Sequence, residues 1–224
     1  MATDNTLYGR SHQHTAASGQ VFRPLCGGIA CLDFVNTVDR HDGTPEHDAF
    51  APGYANLLAW FAHAELVNTE AAKPLLRLAQ KQPREAAAVR KRAQALRSAI
   101  RGITVACING TAPVADDLDI FNDEVHRALT NGSFVALDHR LRWEWTPTRH
   151  LDSLLWPIAR SAASLLSGDQ TGRVRECAAN DCVMLFLDTS KNGSRRFCSA
   201  SGCGNATRVR RFRALRDETA TPTA

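Results

Sequence analysis

Four cysteines near the C-terminal end form two equally spaced pairs. Cys177 and Cys182 have four residues between them, fifteen residues follow, and Cys198 and Cys203 repeat the spacing. Structural zinc is held by four soft ligands in a tetrahedron, and two close pairs on tight turns supply that geometry. We therefore expect one structural Zn²⁺ ion per chain, bound by these four cysteines. Such a closed set leaves no open position for a substrate, so the pattern predicts a structural rather than a catalytic metal.

The residues between and after the two pairs predict the elements that bring the cysteines together. Residues 183–188 are rich in β-formers, an Asn-Gly turn signal stands at 192–193, and 195–198 can return as the second strand. Asn205 is a suitable cap for a helix that runs to about residue 216. The expected fold of this segment is a small zinc-binding hairpin-plus-helix module, treble-clef-like in arrangement.

Zinc binding is not the only role that these cysteines could have. Four buried thiols or two disulfides would account for the quartet, but an odd total of seven cysteines argues against a disulfide framework. Cys26 and Cys31 also have four residues between them, yet they lie in an apolar stretch without a matching pair. We expect them, and Cys107, to be thiols with a structural role in the core.

Positive charge is concentrated beside the second cysteine pair. Residues 191–216 contain eight basic residues and no Asp or Glu, whereas the net charge of the whole chain is only +4. The guanidinium fork suits phosphate oxygens and guanine edges, so a nucleic-acid surface is expected. The alternative is that the arginines only balance the zinc thiolates. The candidate contacts are Arg195, Arg196, Arg208, Arg210, Arg211 and Arg213, and we expect Val209 and Phe212 to dock on the hairpin.

The rest of the chain predicts a mainly α N-terminal domain with a small β-hairpin. Hydrophobic residues make up 44% of the 224, enough for a core. We expect a flexible tail over 1–20, a helical domain over 21–170 with a hairpin within 134–145, a linker at 169–172, and the zinc module over 173–217. No apolar run is long enough to span a membrane, and the polar N-terminus lacks a signal core, so a cytoplasmic protein is expected.

Five residues of the helical domain are candidates for binding a small-molecule signal. A local structural role is the simpler interpretation of each, because polar side chains near a helix end often cap it and a tryptophan in an apolar stripe is usually core. The domain is expected either to sense such a signal or to form a homodimer. The candidates are Asp33, Asn36, Arg40, Trp60 and His63.

Both parts of the sequence resemble known bacterial families. The C-terminal segment resembles the CGNR-type zinc finger through RVREC (173–177), FLDTS (186–190), RRFCS (195–199) and CGN (203–205). The body resembles the ABATE domain of stress-induced transcription regulators through GGIACLDFVNTVDR (27–40), YANLLAW (54–60) and LLWPIARSAASLLSG (154–168). The resemblance implies a helical N-terminal domain and a role in transcription. Ala206 stands where the finger family has the arginine of its name, so that arginine's contact is absent or comes from Arg208.

Two classes of function therefore remain open. The first is a DNA-binding transcription regulator, whose body senses a signal or dimerises and whose finger binds double-stranded DNA. The second is a zinc-ribbon-like adaptor that binds protein or RNA. An enzyme is not expected, because the sequence has no phosphate loop, no nucleophile motif and no metal site with an open position.

Overall fold

Seven helices and six short strands make up the described part of the chain. The computed structural model describes residues 22, 24–41, 44–145, 150–180 and 182–220, and leaves out the side chains of 39–47 and 217–220. The predicted tail, 1–20, lies outside the described residues. The helices are α1 Ala30–Val35, α2 Tyr54–His63, α3 Thr69–Lys81, α4 Pro83–Asn109, α5 Ala115–Thr130, α6 Leu155–Leu166 and α7 Asn205–Ala220. The strands are β1 Val38–His41, β2 Thr44–Asp48, β3 Gly132–Leu137, β4 Arg140–Trp145, β5 Val174–Glu176 and β6 Leu185–Leu187.

Helix α4 is the central element, and α1, α2, α3, α5 and α6 all pack against it or its neighbours. It begins at Pro83, whose missing N–H costs nothing in a first turn, and ends at Gly110, which adopts the left-handed conformation that stops helices (φ 66°). Its apolar stripe is buried with an aromatic cluster from α1, α2 and the residues after β2. Members of that core include Phe34, Phe50, Trp60, Phe61, Leu96 and Ile100. The expectation of a mainly helical body is confirmed.

The expected hairpin within 134–145 is also present. Strands β3 and β4 pair from Gly132 opposite Trp145 to Leu137 opposite Arg140. Asp138 and His139 form the turn with positive φ angles of 46° and 63°, the conformation that a two-residue hairpin loop requires. A second hairpin, β1–β2, was not predicted, because its segment contains a proline and few β-formers.

One buried ion pair holds the end of β2 against α4. Arg97, 6% exposed, donates two hydrogen bonds to the Asp48 carboxylate (2.8 and 2.7 Å) and lies over the Phe50 ring. Burial raises the pKa of Asp48, but hydrogen bonds from Arg97 and from the Phe50 N–H outweigh that effect and hold the pKa at about 2. The carboxylate is therefore ionised near neutral pH and stays paired with the guanidinium.

The hairpin of the C-terminal segment differs from the one expected. Strand β6 pairs with β5, residue 187 opposite residue 174, rather than with 195–198. The other edge of β6 faces the body, where Leu187 N donates to Gly27 O and Leu185 N donates to Asn36 Oδ1. Both edges are thus occupied, so 195–198 forms no strand. The chain still reverses near Gly193, with a hydrogen bond from its N–H to Ser190 O and a φ of 62°.

The body and the C-terminal segment share one hydrophobic core. Val174, Leu185 and Leu187 are almost completely buried and belong to the same cluster as Phe34 and Ile100 of the body. The residues expected to be a linker, 169–172, form compact turns, with Thr171 Oγ1 donating to Leu165 O (2.6 Å). The segment after residue 172 is therefore packed into the body and not tethered beside it.

Candidate zinc centre and nucleic-acid interface

The four predicted cysteines come together in one cluster. The sulfur atoms of Cys177, Cys182, Cys198 and Cys203 all lie within 4.8 Å of one another. A tetrahedron with Zn–S bonds of about 2.3 Å has edges of about 3.8 Å. The Cys182–Cys198 and Cys198–Cys203 sulfur pairs, at 3.8 and 3.6 Å, agree with that edge. The donor set therefore fits one structural zinc ion, with all four positions filled by protein.

Two short loops position the four sulfur atoms. Cys177 follows β5, and its N–H donates to Met184 O, so the first pair lies in the loop that joins β5 to β6. In the second pair, the Cys198 N–H donates to Cys177 Sγ (3.4 Å). Ser199 then accepts from the Gly202 N–H and caps the turn at Ala200–Gly204 that leads into α7. Asn205, expected to cap the helix, is instead the first residue of α7, because the turn capped by Ser199 leads directly into it.

The Asp188 side chain stabilises the turn in which the chain reverses between the two cysteine pairs. Its carboxylate is fully buried and accepts from the Ser190 N–H (2.9 Å), from the Ser190 hydroxyl (2.6 Å) and from the Arg195 N–H (3.1 Å). One side chain thus satisfies donors on both arms of the turn, as short polar side chains commonly do in loops. This arrangement replaces the strand ladder expected for residues 195–198.

Zinc binding must displace protons from this cluster. Burial raises the pKa of the Cys203 thiol to about 11, and the neighbouring Cys198 thiol together with burial raises the pKa of Cys182 still further. Zinc binds the deprotonated form, so the ion takes the place of these protons and its affinity falls as the pH is lowered. With four thiolate ligands, the ion would have a structural role and would fix the fold of the loops.

Besides the shared core, hydrogen bonds to backbone atoms of the zinc module attach it to the body. The Asn36 amide donates to Leu185 O (2.8 Å) and accepts from Leu185 N (2.9 Å), as a paired strand residue would. Arg101 donates to Val183 O and to the Glu176 carboxylate, both at 2.7 Å. Gly27 accepts from Leu187 N, and a Cβ at Gly27 would lie 2.7 Å from Asp33 N. These contacts account for the glycine and the asparagine of the 27–40 motif.

A cavity of about 270 Å³ lies between the body and the zinc module. Its apolar lining includes Phe22, Leu25, Trp60 and Met184, and one wall is formed by cysteines of the metal cluster. Three of the five predicted signal-binding residues line it, namely Asp33, Asn36 and Trp60. Asp33 is 3% exposed, and its Oδ1 accepts from the Gly27 N–H (2.7 Å).

The other two predicted signal-binding residues are not part of the cavity wall. His63 is buried behind it and stacks on Phe22, with 5.4 Å between ring centroids. Arg40 belongs to β1, and its side chain lies outside the described residues. Of the expected set, Asp33, Asn36 and Trp60 therefore line the same cavity, whereas His63 packs behind a residue of its wall.

Arg195 was expected to contact nucleic acid, but its side chain is used inside the protein. Its guanidinium donates to the backbone oxygens of Phe197, Cys198, Leu187 and Cys26, and lies 4.3 Å from the Phe186 ring centroid. The loops around the metal cluster expose several carbonyl groups that need donors, and this residue satisfies four of them. Arg195 therefore has a structural role, and its guanidinium is engaged within the protein rather than presented to a partner.

The remaining predicted arginines lie on the outer surface. Arg196 is exposed beside Phe197, and the other four are exposed along α7. Among the described elements, the turn at Ala200–Gly204 is the main one against which this helix packs. Val209 and Phe212 were expected to dock on the hairpin, but they are 39% and 62% exposed. They remain uncovered because Phe186, Phe197 and Met184 already fill the space around the cysteines.

Sequence reasoning missed three residues of this site. Arg101 and Met184 carry no spacing signal, because their partners lie on distant parts of the chain. Cys26 was expected to be a core thiol, but it is partly exposed and packs against the metal cluster. Its position ahead of the Gly27-Gly28 pair was the available signal, since that pair brings the backbone close to another element. Cys31, by contrast, is buried as expected.

Comparison with family models gives two matches that cover most of the chain. Residues 28–169 match the ABATE model, described as "Putative stress-induced transcription regulator". Residues 173–216 match the CGNR zinc finger model. No curated protein matches the sequence. Among the described residues, no helix has the length and apolar character needed to cross a membrane.

Proposed function

The chain belongs to the ABATE family of transcription regulators, and we propose that it binds double-stranded DNA through α7 and the arginines beside its zinc centre. The observation that carries the proposal is the outer surface of residues 191–216, which has exposed arginines and no acidic residue. A 16-residue helix is about 24 Å long and fits the major groove, which is about 12 Å wide. The zinc-held turn at Ala200–Gly204 gives this helix a rigid base.

Single substitutions of these arginines test the proposal. Arg208→Ala, Arg211→Ala and Arg213→Ala should each weaken binding to all duplexes if they contact phosphates, and each should flatten the slope of log affinity against log salt by about 0.9. An arginine that reads a base should instead cost about 1–3 kcal/mol on the preferred site only. Fluorescence anisotropy with labelled duplexes over a salt series measures both.

A charge-matched control distinguishes an effect of this surface from an effect of the net charge of the chain. Arg84→Ala removes one exposed arginine from the start of α4 and should leave the affinity and the salt slope unchanged. Ala206→Arg restores the family residue at the first turn of α7 and should strengthen binding. If the zinc-loaded chain shows no salt-dependent binding to any duplex, the proposal that this surface binds DNA is wrong.

One observation favours the alternative, a regulatory adaptor that binds a protein. Phe212 and Leu215 are 62% and 53% exposed on the arginine-bearing helix. Exposed apolar side chains of this size often mark protein-binding surfaces. Phe212→Ser would then abolish the interaction with the partner while leaving the salt-dependent DNA affinity intact, whereas a DNA-only role predicts no protein interaction to lose.

We further propose that the cavity between body and zinc module binds the signal, a small aromatic molecule with a hydrogen-bond donor or ammonium group. Its apolar walls suit a ring, and the buried Asp33 carboxylate suits a donor. Benzylamine should raise the melting temperature of the chain more than benzoate does. Asp33→Asn should remove that preference, and equal effects of the two probes on the unaltered chain would contradict it.

A further inference from the structure

A fifth cysteine lies beside the zinc cluster without belonging to it. Cys26 precedes α1, more than 150 residues before the nearest zinc ligand in sequence, yet it packs against the cysteines of the cluster. Cys198 Sγ lies 3.8 Å from the Cys182 sulfur and 3.6 Å from the Cys203 sulfur, and Cys26 packs against the same cluster. A tetrahedral zinc site is complete with four thiolates, so the thiol of Cys26 has no place in the coordination.

The structure holds Cys26 and Cys198 next to each other from two directions. Arg195 Nη2 donates to the backbone oxygens of both residues, so a single nitrogen bridges the two chain segments. Asn36 Nδ2 lies 3.7 Å from Cys26 Sγ while the same amide is bonded to Leu185 of the zinc module. The proximity of the two cysteines is therefore built into the contact between body and zinc module.

The cavity gives small molecules a route to this pair. Cys26 and Cys198 both line it, and the rest of its wall is mainly apolar, with Leu25, Trp60 and Met184 among the lining residues. Cys26 is itself partly exposed. A neutral, mainly apolar reagent can thus reach both sulfur atoms, whereas the fully buried Cys31 on α1 is closed to it.

We propose that Cys26 and Cys198 form a hydroperoxide-sensitive pair, in which oxidation links them by a disulfide and releases the zinc ion. The Cys198 thiolate attacks the terminal oxygen of R–O–OH, the O–O bond breaks, and Cys198 becomes a sulfenic acid while RO⁻ takes a proton from water. The Cys26 thiol then attacks the Cys198 sulfur, and its proton leaves with the hydroxyl group as water. Two electrons pass from the two sulfur atoms to the peroxide.

The zinc site cannot survive this reaction. A disulfide sulfur is not a thiolate, so the tetrahedral set falls from four ligands to three. Cys26 suits the second step better than the other neighbours of Cys198, because Cys182 and Cys203 are themselves committed to the metal. This modification goes beyond the proposed DNA binding and does not depend on it.

The zinc-loaded full chain tests the proposal with tert-butyl hydroperoxide as the reagent. A metallochromic indicator should report release of about one zinc per chain, and peptide mapping of the oxidised, alkylated chain should show a link between Cys26 and Cys198. In Cys26→Ser the link should be absent and zinc release should slow at least tenfold. Cys107→Ser, which removes an exposed cysteine that does not belong to the cluster, should behave as the unaltered chain does.

Mapping of the unaltered chain decides the matter even if Cys26→Ser folds poorly. A disulfide between two zinc ligands, such as Cys182 with Cys198, in place of the Cys26–Cys198 link would overturn the proposal. So would zinc release at an unchanged rate in a well-folded, zinc-loaded Cys26→Ser chain. Restoration of zinc binding after treatment with a dithiol would support it, since disulfide formation is reversible and over-oxidation to a sulfonic acid is not.

Discussion

Cys177→Ser and Cys203→Ser should each lose most of the zinc that the unaltered chain carries at about one ion per protomer. Binding of structural zinc contributes roughly 10–16 kcal/mol in isolated fingers, and this binding energy is coupled to folding of the loops. We expect the larger loss of stability from Cys177→Ser, because Cys177 is buried between β5 and β6 while Cys203 is partly exposed near the end of the turn into α7. Elemental analysis and thermal unfolding by circular dichroism measure the two effects.

Cys107→Ser is the matched control for these zinc-ligand variants, since it removes a thiol from the exposed end of α4 and touches no ligand. Its zinc content and melting temperature should equal those of the unaltered chain. Full retention of zinc in both ligand variants would show that the ion does not depend on this cluster. Chelation of the unaltered chain should lower the stability of the body as well, because the strands that flank the first cysteine pair belong to the common core.

A chain that ends after Gly172 should fail to fold cooperatively. The truncation removes Val174, Leu185 and Leu187, which fill the core against α1 and α4. Burial of three such side chains contributes roughly 5–9 kcal/mol, which is comparable to the whole stability of an ordinary domain, about 5–15 kcal/mol. The shared core thus predicts the opposite of what a linker at 169–172 between two separate domains would imply.

A second truncation, after Thr207, provides the comparison. It keeps all four cysteines and removes nearly all of α7, whose side chains are mostly exposed. The shorter chain should retain zinc and melt within a few degrees of the full chain, but it should no longer bind DNA. A stable, cooperatively melting chain ending at Gly172 would contradict the shared core and favour two independent domains.

Local signals in the sequence predicted the structural features that depend on short stretches of the chain. The paired spacing identified all four cysteines, because metal ligands on tight turns leave a regular pattern. Pro83 and Gly110 are local signals for the two ends of α4, and its buried residues repeat with a helical period. The β3–β4 hairpin followed from its β-formers, although the two residues of its turn are Asp and His and not the usual Asn-Gly.

What the sequence could not predict depends on residues far apart along the chain. The partner predicted for β6, residues 195–198, was wrong. Asn36, which is 149 positions from Leu185 in sequence, occupies the strand edge that this partner needed. Arg195 was assigned to nucleic acid because a count of charges does not reveal which backbone oxygens lack donors. Cys26 was assigned to the core because its neighbours in sequence are apolar, whereas its neighbours in space are cysteines.

The attachment of the zinc module to the body limits how independently the sequences of the two parts can change. Asn36 binds both backbone atoms of residue 185, and Arg101 binds the backbone oxygen of residue 183. These hydrogen bonds do not require particular side chains at residues 183 and 185, because they go to backbone atoms. Mutations that change what the outer face of the module recognises therefore leave its docking intact, and related chains can exchange such modules as long as the path of β6 and the buried side chains at 174, 185 and 187 are kept.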